Sequence, residues 1–198
     1  MKYTRSPNNV NGDLSKKEWV NAEKVSFVDV VTGGKPQRET TAMLLWDENY
    51  IYVAFDCIDD YIKASMMDYN QPLYNEDVVE IFIDDDSDRR TYIEIEVNPN
   101  NAVLHYEIHN NGSNKTSFAR IEQKIISAVK KEKGRTTYEI AIPTSEFLNP
   151  IKSCVKWNFN LYRIDRGNDG FDEYTAFSPP GEVNYHKPEC FVTIEFVK

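Results

Sequence analysis

Short segments in which apolar and polar residues alternate recur along most of this sequence, and they constrain its fold more than any other feature. Within residues 91–97, for example, Ile93, Ile95 and Val97 are separated by single glutamates. Successive side chains of a β-strand point to opposite faces of the sheet, so each such segment predicts a strand with one face in the core.

Turn-forming residues separate these segments, as in Asn98-Pro99-Asn100-Asn101. The predicted strands are 24–31, 40–46, 50–57, 77–84, 91–97, 102–109, 121–130, 136–142, 155–164, 173–177 and 191–197. Helix is predicted only as a turn between Asp13 and Trp19 and another that begins at Pro143. This pattern predicts an all-β fold, a two-sheet antiparallel β-sandwich of the jelly-roll or immunoglobulin-like type, with roughly ten or more strands. No repeat or linker interrupts the 198 residues, so we expect a single domain over 1–198.

The charge balance limits the partners of such a domain. The chain carries 32 Asp and Glu against 23 Lys and Arg, which gives a net charge of −9 at pH 7. An acidic surface repels phosphate groups, so we expect no nucleic acid and no anionic membrane as a partner. A neutral, cationic or metal-bridged ligand suits this field better.

Three cysteines, Cys57, Cys154 and Cys190, show no metal-binding spacing, and we expect them to be small buried side chains. One disulfide remains an alternative for an exported protein. No apolar run approaches the ~18 residues of a membrane span, and residues 1–11 lack the apolar segment of a signal peptide. The location stays open: cytoplasmic if Met1 is the native start, extracellular if the chain is a mature or excised module.

The polar faces of several predicted strands have an unusual composition. In 77–84, 91–98 and 155–164 they combine carboxylates, amides and tyrosines with few lysines. Sugar hydroxyls require both donors and acceptors, and these planar side chains supply them. The same pattern also fits an ordinary solvated face of an acidic protein, so alternation alone does not decide between the two.

Five blocks of sequence, in this order, resemble carbohydrate-binding module family 9 over most of the chain. They are Asn11-Gly12-Asp13-Leu14 with Trp19, Leu44-Leu45-Trp46-Asp47-Glu48-Asn49-Tyr50-Ile51-Tyr52-Val53 with Asp59, Tyr74-Asn75-Glu76-Asp77-Val78-Val79-Glu80-Ile81-Phe82-Ile83-Asp84, Trp157-Asn158-Phe159-Asn160-Leu161-Tyr162-Arg163, and Tyr185-His186-Lys187-Pro188-Glu189-Cys190-Phe191. Any one of these blocks is a weak signal, whereas five in the right order are a strong signal for the fold.

The resemblance implies a β-sandwich that holds a sugar between two aromatic walls. Matching the blocks places these walls at Tyr74 and Tyr185, where well-known members have Trp. The polar contacts to sugar hydroxyls fall on Asp59, Glu80 and Asn98. A further family contact, often Arg, falls on Glu96.

These departures from the family pattern affect the ligand more than the fold. Tyrosine offers a smaller stacking face than tryptophan, and glutamate in place of arginine reverses a charge in the pocket.

Each of these residues also has a purely structural interpretation. Either tyrosine would pack on a sheet edge, and Glu80 would form an ion pair with Arg163 or Arg90. Trp46 and Trp157 lie in apolar strands and are expected in the core. Trp19 is expected to close the bottom of the sandwich behind the first turn.

No bound cofactor is required by these motifs, but a structural Ca²⁺ ion remains an option. Asp84-Asp85-Asp86-Ser87-Asp88 alternates hard oxygen ligands, without the glycine and distant glutamate of an EF-hand loop. A solvated acidic turn at the end of a strand is the alternative. His105 and His109 would lie about 13 Å apart on a strand, which does not suit zinc, and no pair of axial ligands for haem is evident.

The sequence therefore predicts non-catalytic carbohydrate binding, with a mono- or oligosaccharide as the partner, such as a chain end of a plant polysaccharide. Two alternatives remain at this point. One is a glycoside hydrolase with paired carboxylates, and the other is a structural sandwich that docks to another domain without a ligand. No nucleophile elbow, phosphate loop, HExxH or CxxC motif is present.

Overall fold

A computed structural model describes residues 1–5, 9–168 and 170–198, and within them the chain forms fourteen β-strands and four short helical segments. The strands are β1 (Lys2–Tyr3), β2 (Lys24–Ser26), β3 (Val28–Asp29), β4 (Thr40–Trp46), β5 (Tyr50–Ile58), β6 (Val78–Asp84), β7 (Thr91–Val97), β8 (Val103–Asn110), β9 (Lys115–Ala119), β10 (Ile126–Glu132), β11 (Arg135–Pro143), β12 (Lys156–Arg166), β13 (Asp172–Ala176) and β14 (Val192–Glu195). The helical segments are α1 (Lys17–Val20) and three 3₁₀ turns, Leu73–Asn75, Thr144–Glu146 and Pro188–Cys190. None of them has the length and hydrophobicity that a membrane span requires.

The strands form two sheets. The first has the order β1-β4-β5-β11-β10, and β2 also pairs with β4. The second has the order β3-β13-β12-β6-β7-β8-β9, and β14 also pairs with β12. The pairs are antiparallel except for β1 with β4. The predicted two-sheet β-sandwich is confirmed.

The core lies between the inner faces of the two sheets. From β5 the series Ile51, Val53 and Phe55 points inward, and from β6 the series that includes Val79 and Ile81 meets it; all are fully buried. Each such side chain stabilises the fold by about 1.5–3 kcal/mol through removal of apolar surface from water. Trp46 and Trp157 lie in the same cluster, which confirms their expected place in the core.

The outer face of the second sheet is also covered, so the alternative of an ordinary solvated face is wrong for β6. All seven residues of β6 are buried. A second apolar cluster there includes Phe82, Tyr162 and Leu104, together with Tyr185 and Phe191 from the C-terminal loop. That loop folds back over the sheet, and local alternation carries no information about such a long-range contact.

The outer face of the first sheet is covered by the N-terminal segment. Trp19 of α1 is fully buried there, in a cluster with Met43, Leu45 and Tyr52. Trp19 therefore packs on a sheet face and does not close the bottom of the sandwich.

Most predicted strands are present, with a few exceptions. Strands β1 and β9 were not predicted; all five residues of β9 are exposed, so it has no apolar series to reveal it. The predicted strand 24–31 is two short strands, β2 and β3, and β10 begins at Ile126 and not at 121. Within the described residues no cysteine forms a disulfide; Cys57 is buried as expected, whereas Cys154 is exposed.

Candidate functional site

A cavity of about 320 Å³ opens on the outer face of the second sheet. Its floor contains Glu80 of β6 and Glu94 and Glu96 of β7. Glu80 lies opposite Glu96 in the register of these two strands, and Glu94 is two positions before Glu96, so the three side chains share one face. Lys115 of β9 and the loop segment 183–186 complete the surroundings.

The three glutamates are buried and crowded together. Their exposed fractions are 2%, 5% and 0% in sequence order, and one carboxylate oxygen of each lies within 4.8 Å of the others. Glu80 Oε1 and both carboxylate oxygens of Glu96 lack a hydrogen bond of normal geometry among the described residues, although the Glu94 carboxyl and the backbone of Tyr74 interact with Glu96. Unpaired buried carboxylates are costly, so this floor is a strong candidate for contact with a polar or charged ligand.

Burial and mutual repulsion both disfavour the charged forms of this group. Burial, reinforced by the neighbouring charge of Glu94, raises the pKa of Glu80 well above its ordinary value. Burial and the charges of Glu80 and Glu94 do the same to the pKa of Glu96. Burial raises the pKa of Glu94 to about 7. The floor therefore favours any ligand that supplies positive charge or hydrogen-bond donors.

Four tyrosines line the cavity: Tyr74, Tyr106, Tyr174 and Tyr185. Tyr74 lies in the 3₁₀ turn Leu73–Asn75 and is 46% exposed, so its ring is accessible to a ligand. Tyr185 is only 8% exposed. Its ring stacks on that of Tyr162 with centroids 4.1 Å apart, and its hydroxyl donates to the Arg163 carbonyl at 2.9 Å.

The two predicted wall residues thus reach the same cavity, but they differ in character. Tyr74 is accessible, as a wall of a sugar site requires. Tyr185 is a buried ring with one face already stacked, and the expectation of a second exposed loop aromatic was wrong. Its loop context suggested exposure, whereas packing against the outer face of the second sheet buries it.

The positively charged groups near the floor are few. His186 Nε2 lies 3.8 Å from Glu94 Oε1, and His186 Nδ1 shares a 2.9 Å hydrogen bond with the Tyr92 hydroxyl. Burial lowers the pKa of His186 to about 3, so this imidazole is neutral at pH 7. Lys115 contributes an ammonium that lowers the pKa of Glu94, against the larger effect of burial.

Two of the predicted contact residues lie elsewhere in the structure. Asp59 follows β5 in the first sheet, where it lies 3.7 Å from Arg163 Nη2 and accepts from Thr136 Oγ1 at 3.4 Å. Asn98 follows β7 and is fully buried; its Oδ1 accepts from the backbone of Asn100 and Ala102. Both side chains are occupied in holding the fold, and neither lines the cavity.

The alternative interpretation of Glu80 as a partner of Arg163 is also wrong. Arg163 lies beside Val79 in the register of β12 and β6, whereas Glu80 lies beside Tyr162. Adjacent positions on a strand point to opposite faces, so Arg163 faces the interior, where it pairs with Asp165. Sequence reasoning placed Glu94 on the same face as Glu96 but did not select it, and the alternation of β7 was the signal that could have done so.

The acidic run 84–88 forms a loop whose shape its own hydrogen bonds explain. The two carboxylate oxygens of Asp84 accept from the backbone N–H groups of Ser87 and Arg89. Asp88 Oδ1 accepts from the N–H groups of Arg90 and of the residue after it. One oxygen each of residues 84, 86 and 88 lie within 4.8 Å of one another, but they already have donors, unlike the glutamates of the cavity floor.

The histidines do not form a common site. His105 is fully buried, both of its ring nitrogens lack hydrogen-bond partners in the described structure, and burial lowers its pKa to about 4. His109 is on the surface and contacts Glu107 at 2.7 Å. His186 lies at the cavity, as described above. Neither group of metal-ligating side chains that the described residues bring together contains a histidine.

A family model described as "Carbohydrate family 9 binding domain-like" matches residues 10–198. A family 9 carbohydrate-binding module from Caldicellulosiruptor kristjanssonii is similar in structure. Its complex with glucose gives a TM-score of 0.72 at 18% identity, covering 99% of this chain and 94% of that one. Its complex with cellotriose gives 0.74 at 20% identity, covering 99% and 91%.

Two further proteins are similar to this chain, one over nearly its whole length and one over a part of it. A proposed carbohydrate-binding protein from Bacteroides uniformis superposes with a TM-score of 0.76 at 18% identity, covering 98% of this chain and 96% of that one. At such identities, structural likeness establishes the fold. Endo-1,4-beta-xylanase A from Thermoanaerobacterium saccharolyticum is 33% identical over 76 residues, which are 38% of this chain and 6% of the xylanase. The match therefore spans a small part of that enzyme.

Proposed function

This chain belongs to the carbohydrate family 9 binding domain-like family, and from that premise we propose that the cavity over Glu80, Glu94 and Glu96 is its sugar-binding site. The single observation that carries the proposal is the combination of an accessible ring, Tyr74, with a floor of unpaired acceptors in one cavity. A sugar presents an apolar C–H face and hydroxyl donors, and these are the two chemistries that the cavity offers.

The family membership confirms a carbohydrate-binding module in preference to an enzyme. The carboxylates of the cavity agree with this in detail. Glycoside hydrolases place two carboxyl groups on either side of the scissile bond, about 5–5.5 or 6.5–9.5 Å apart. Here the three carboxylates lie together on one floor, with one oxygen of each within 4.8 Å of the others. A sugar above them would be held from one side, without a second group on the far side of its glycosidic bond.

The ligand that fits best is a single sugar residue at a chain end. A cavity of about 320 Å³ lies near the lower limit of small-molecule sites, which span ~300–1,000 Å³. Such a cavity suits a terminal residue better than a chain laid along a sheet. The relatives solved with glucose and with cellotriose support glucose-type sugars as the first candidates. The 76-residue match to a xylanase supports a role beside enzymes that act on plant polysaccharides.

Calorimetric titration with glucose, cellotriose and xylotriose tests this proposal. A stacking contact worth about 1 kcal/mol corresponds to roughly fivefold in affinity, so Tyr74→Ala should weaken sugar binding by about that factor. Tyr61→Ala is the matched control, because Tyr61 is similarly exposed, at 40%, and does not line the cavity.

Three outcomes would contradict the proposal. If both variants behave alike, the sugar binds elsewhere. If none of these sugars binds, the alternative of a structural sandwich that docks to another domain without a ligand is supported. If the sugars are hydrolysed, the module is an enzyme after all.

A further inference from the structure

We propose that Glu80, Glu94 and Glu96 bind one divalent cation with a preference for oxygen ligands, such as Ca²⁺, at the floor of the cavity. The remaining coordination positions of this ion face the cavity, where hydroxyl groups of the sugar would occupy them. This second step rests on the function proposed above, whereas the cation site itself does not.

The arrangement of the oxygens fits such an ion. Ca²⁺ takes 6–8 oxygen ligands at 2.3–2.6 Å, so two ligands on opposite sides of it are about 5 Å apart and all other pairs are closer. One oxygen from each of the three glutamates lies within 4.8 Å of the other two. Three carboxylates provide three to six ligands, depending on whether each binds through one oxygen or two. The ion would therefore retain positions for water or for sugar hydroxyls.

The orphaned oxygens are a second and separate indication. Crowding of acidic groups is common in proteins, but buried carboxylates normally have donors. Glu80 Oε1 and both oxygens of Glu96 lack a hydrogen bond of normal geometry within the described residues; Glu96 interacts with the neighbouring Glu94 carboxyl and with the backbone of Tyr74, whereas Glu80 Oε1 is unpartnered. The acidic loop that contains Asp84 differs in this respect, because backbone N–H groups already satisfy its carboxylates.

The protein supplies too little positive charge to neutralise the floor by itself. Among the described residues that line the cavity, Lys115 carries an ammonium and His186 an imidazole that burial keeps neutral. Arg166, which also acts on Glu80, is directed to other partners: its guanidinium donates to Asp172 Oδ2 at 2.7 Å and to the Tyr74 carbonyl at 2.8 Å. Because three carboxyl groups face one ammonium, ionisation of all three would leave a net negative site, which a divalent cation would balance.

A small ion also fits the burial of the floor better than a charged organic ligand does. The three glutamates expose 5% of their surface or less. A single ion can contact all three buried carboxyl groups at once, whereas the one ammonium of an amino sugar has only three N–H donors to share among them. An amino sugar is therefore the alternative that the experiment must exclude.

Calcium titration of the metal-free protein, without sugar, tests the cation site. The protein is treated with EDTA, desalted and titrated with CaCl₂ in a calorimeter, with MgCl₂ and MnCl₂ in parallel. We expect one Ca²⁺ per chain and a rise in the thermal midpoint on binding. Glu96→Gln and Glu94→Gln should each weaken Ca²⁺ binding by at least about tenfold. Because each variant also removes a repelled buried charge, its metal-free form should be no less stable than the parent, which separates loss of the site from loss of the fold.

The matched control is Asp86→Asn, which changes the other acidic group and should leave Ca²⁺ binding unchanged. Absence of Ca²⁺ binding in the parent protein, or equal binding in Glu96→Gln, would overturn the proposal. Loss of binding in Asp86→Asn alone would move the ion to the loop and overturn it as well.

Sugar titrations then separate this proposal from the preceding one. Sugar binding that strengthens when Ca²⁺ replaces EDTA supports both proposals. Ca²⁺ binding without any sugar binding supports the cation site and refutes the sugar function. Glucosamine that binds in EDTA more tightly than glucose does would show that the carboxylates recognise an ammonium group, and the cation proposal would fail.

Discussion

Glu139 joins the N-terminal segment to the first sheet, and its replacement by glutamine should destabilise the protein strongly. The side chain is fully buried on β11. It accepts from the backbone N–H groups of Asn11 and Gly12 at 2.8 and 3.0 Å, from Trp19 Nε1 at 2.8 Å, and from Lys16 Nζ at 2.5 Å. Four donors therefore depend on one carboxylate.

The size of the loss in stability follows from the hydrogen bonds that a glutamine can still accept at this position. Its single carbonyl oxygen can serve one side of this group, and its NH₂ would point toward the donors on the other side. At least one buried donor is left unpaired, at about 1–3 kcal/mol. The ion pair with Lys16 is lost too. Because the Lys16 side chain is 18% exposed, its ammonium can recover part of its hydration. The cost of losing this pair therefore stays below the 3–5 kcal/mol of a fully buried pair. We expect a total loss of about 3 kcal/mol.

Urea denaturation at pH 7, followed by tryptophan fluorescence, measures this loss. With an m value of about 2 kcal/mol/M, a decrease of 3 kcal/mol lowers the midpoint by about 1.5 M. The control is Glu132→Gln, which removes an exposed pair with Lys130 and should leave the midpoint unchanged. A single transition that shifts by less than about 0.5 M in Glu139→Gln would refute this account of the N-terminal segment.

Two further predictions concern the same fold. Gly12 has φ +77°, and a Cβ there would lie 3.1 Å from the Lys130 backbone nitrogen. Gly12→Ala should therefore lower the free energy of unfolding by about 2 kcal/mol in the same urea assay. An unchanged free energy of unfolding would show that the N-terminal segment can move aside. Burial raises the pKa of Asp77 to about 7, above the value of about 4 in an unfolded chain. The folded state therefore retains the Asp77 proton to higher pH than the unfolded state does. The contribution of Asp77 to the free energy of unfolding is full below about pH 4 and is lost as the pH rises through about 7. The free energy of unfolding of the parent minus that of Asp77→Asn should consequently fall between pH 5 and pH 8, and a difference independent of pH would contradict this.

The strands and the core could be predicted from the sequence because both are recorded in local alternation. The apolar series of β5 and β6 points inward, and the tryptophans of β4 and β12 lie in the core as expected. Strand β9 escaped prediction because its side chains are exposed and only its pairing with β8 defines it.

The site could be predicted only in part, because its composition depends on contacts between distant segments. Glu80 and Glu96 are neighbours on adjacent strands, so strand pairing brings them together directly. Tyr185 is held by contacts with a distant segment, the stack on Tyr162, 23 residues away in the chain, and the hydrogen bond to the Arg163 carbonyl. Asp59 shows the limit of carrying positions over from a resemblance, since the first sheet holds it on the far side of the core from the cavity.

The register of β6 and β7 separates the residues that pack in the core from those that line the cavity. On β6, Val79 and Ile81 pack in the core, and Glu80 between them faces the cavity. A change at a floor position therefore leaves the inner face untouched, and the same scaffold can present different chemistry. Glu96, at a position where the resemblance implies arginine, is such a change: it replaces a donor for sugar oxygens with an acceptor beside two other carboxylates. A ligand known from relatives thus cannot be assigned to this cavity by fold alone, because the charge of its floor differs from that of the family pattern.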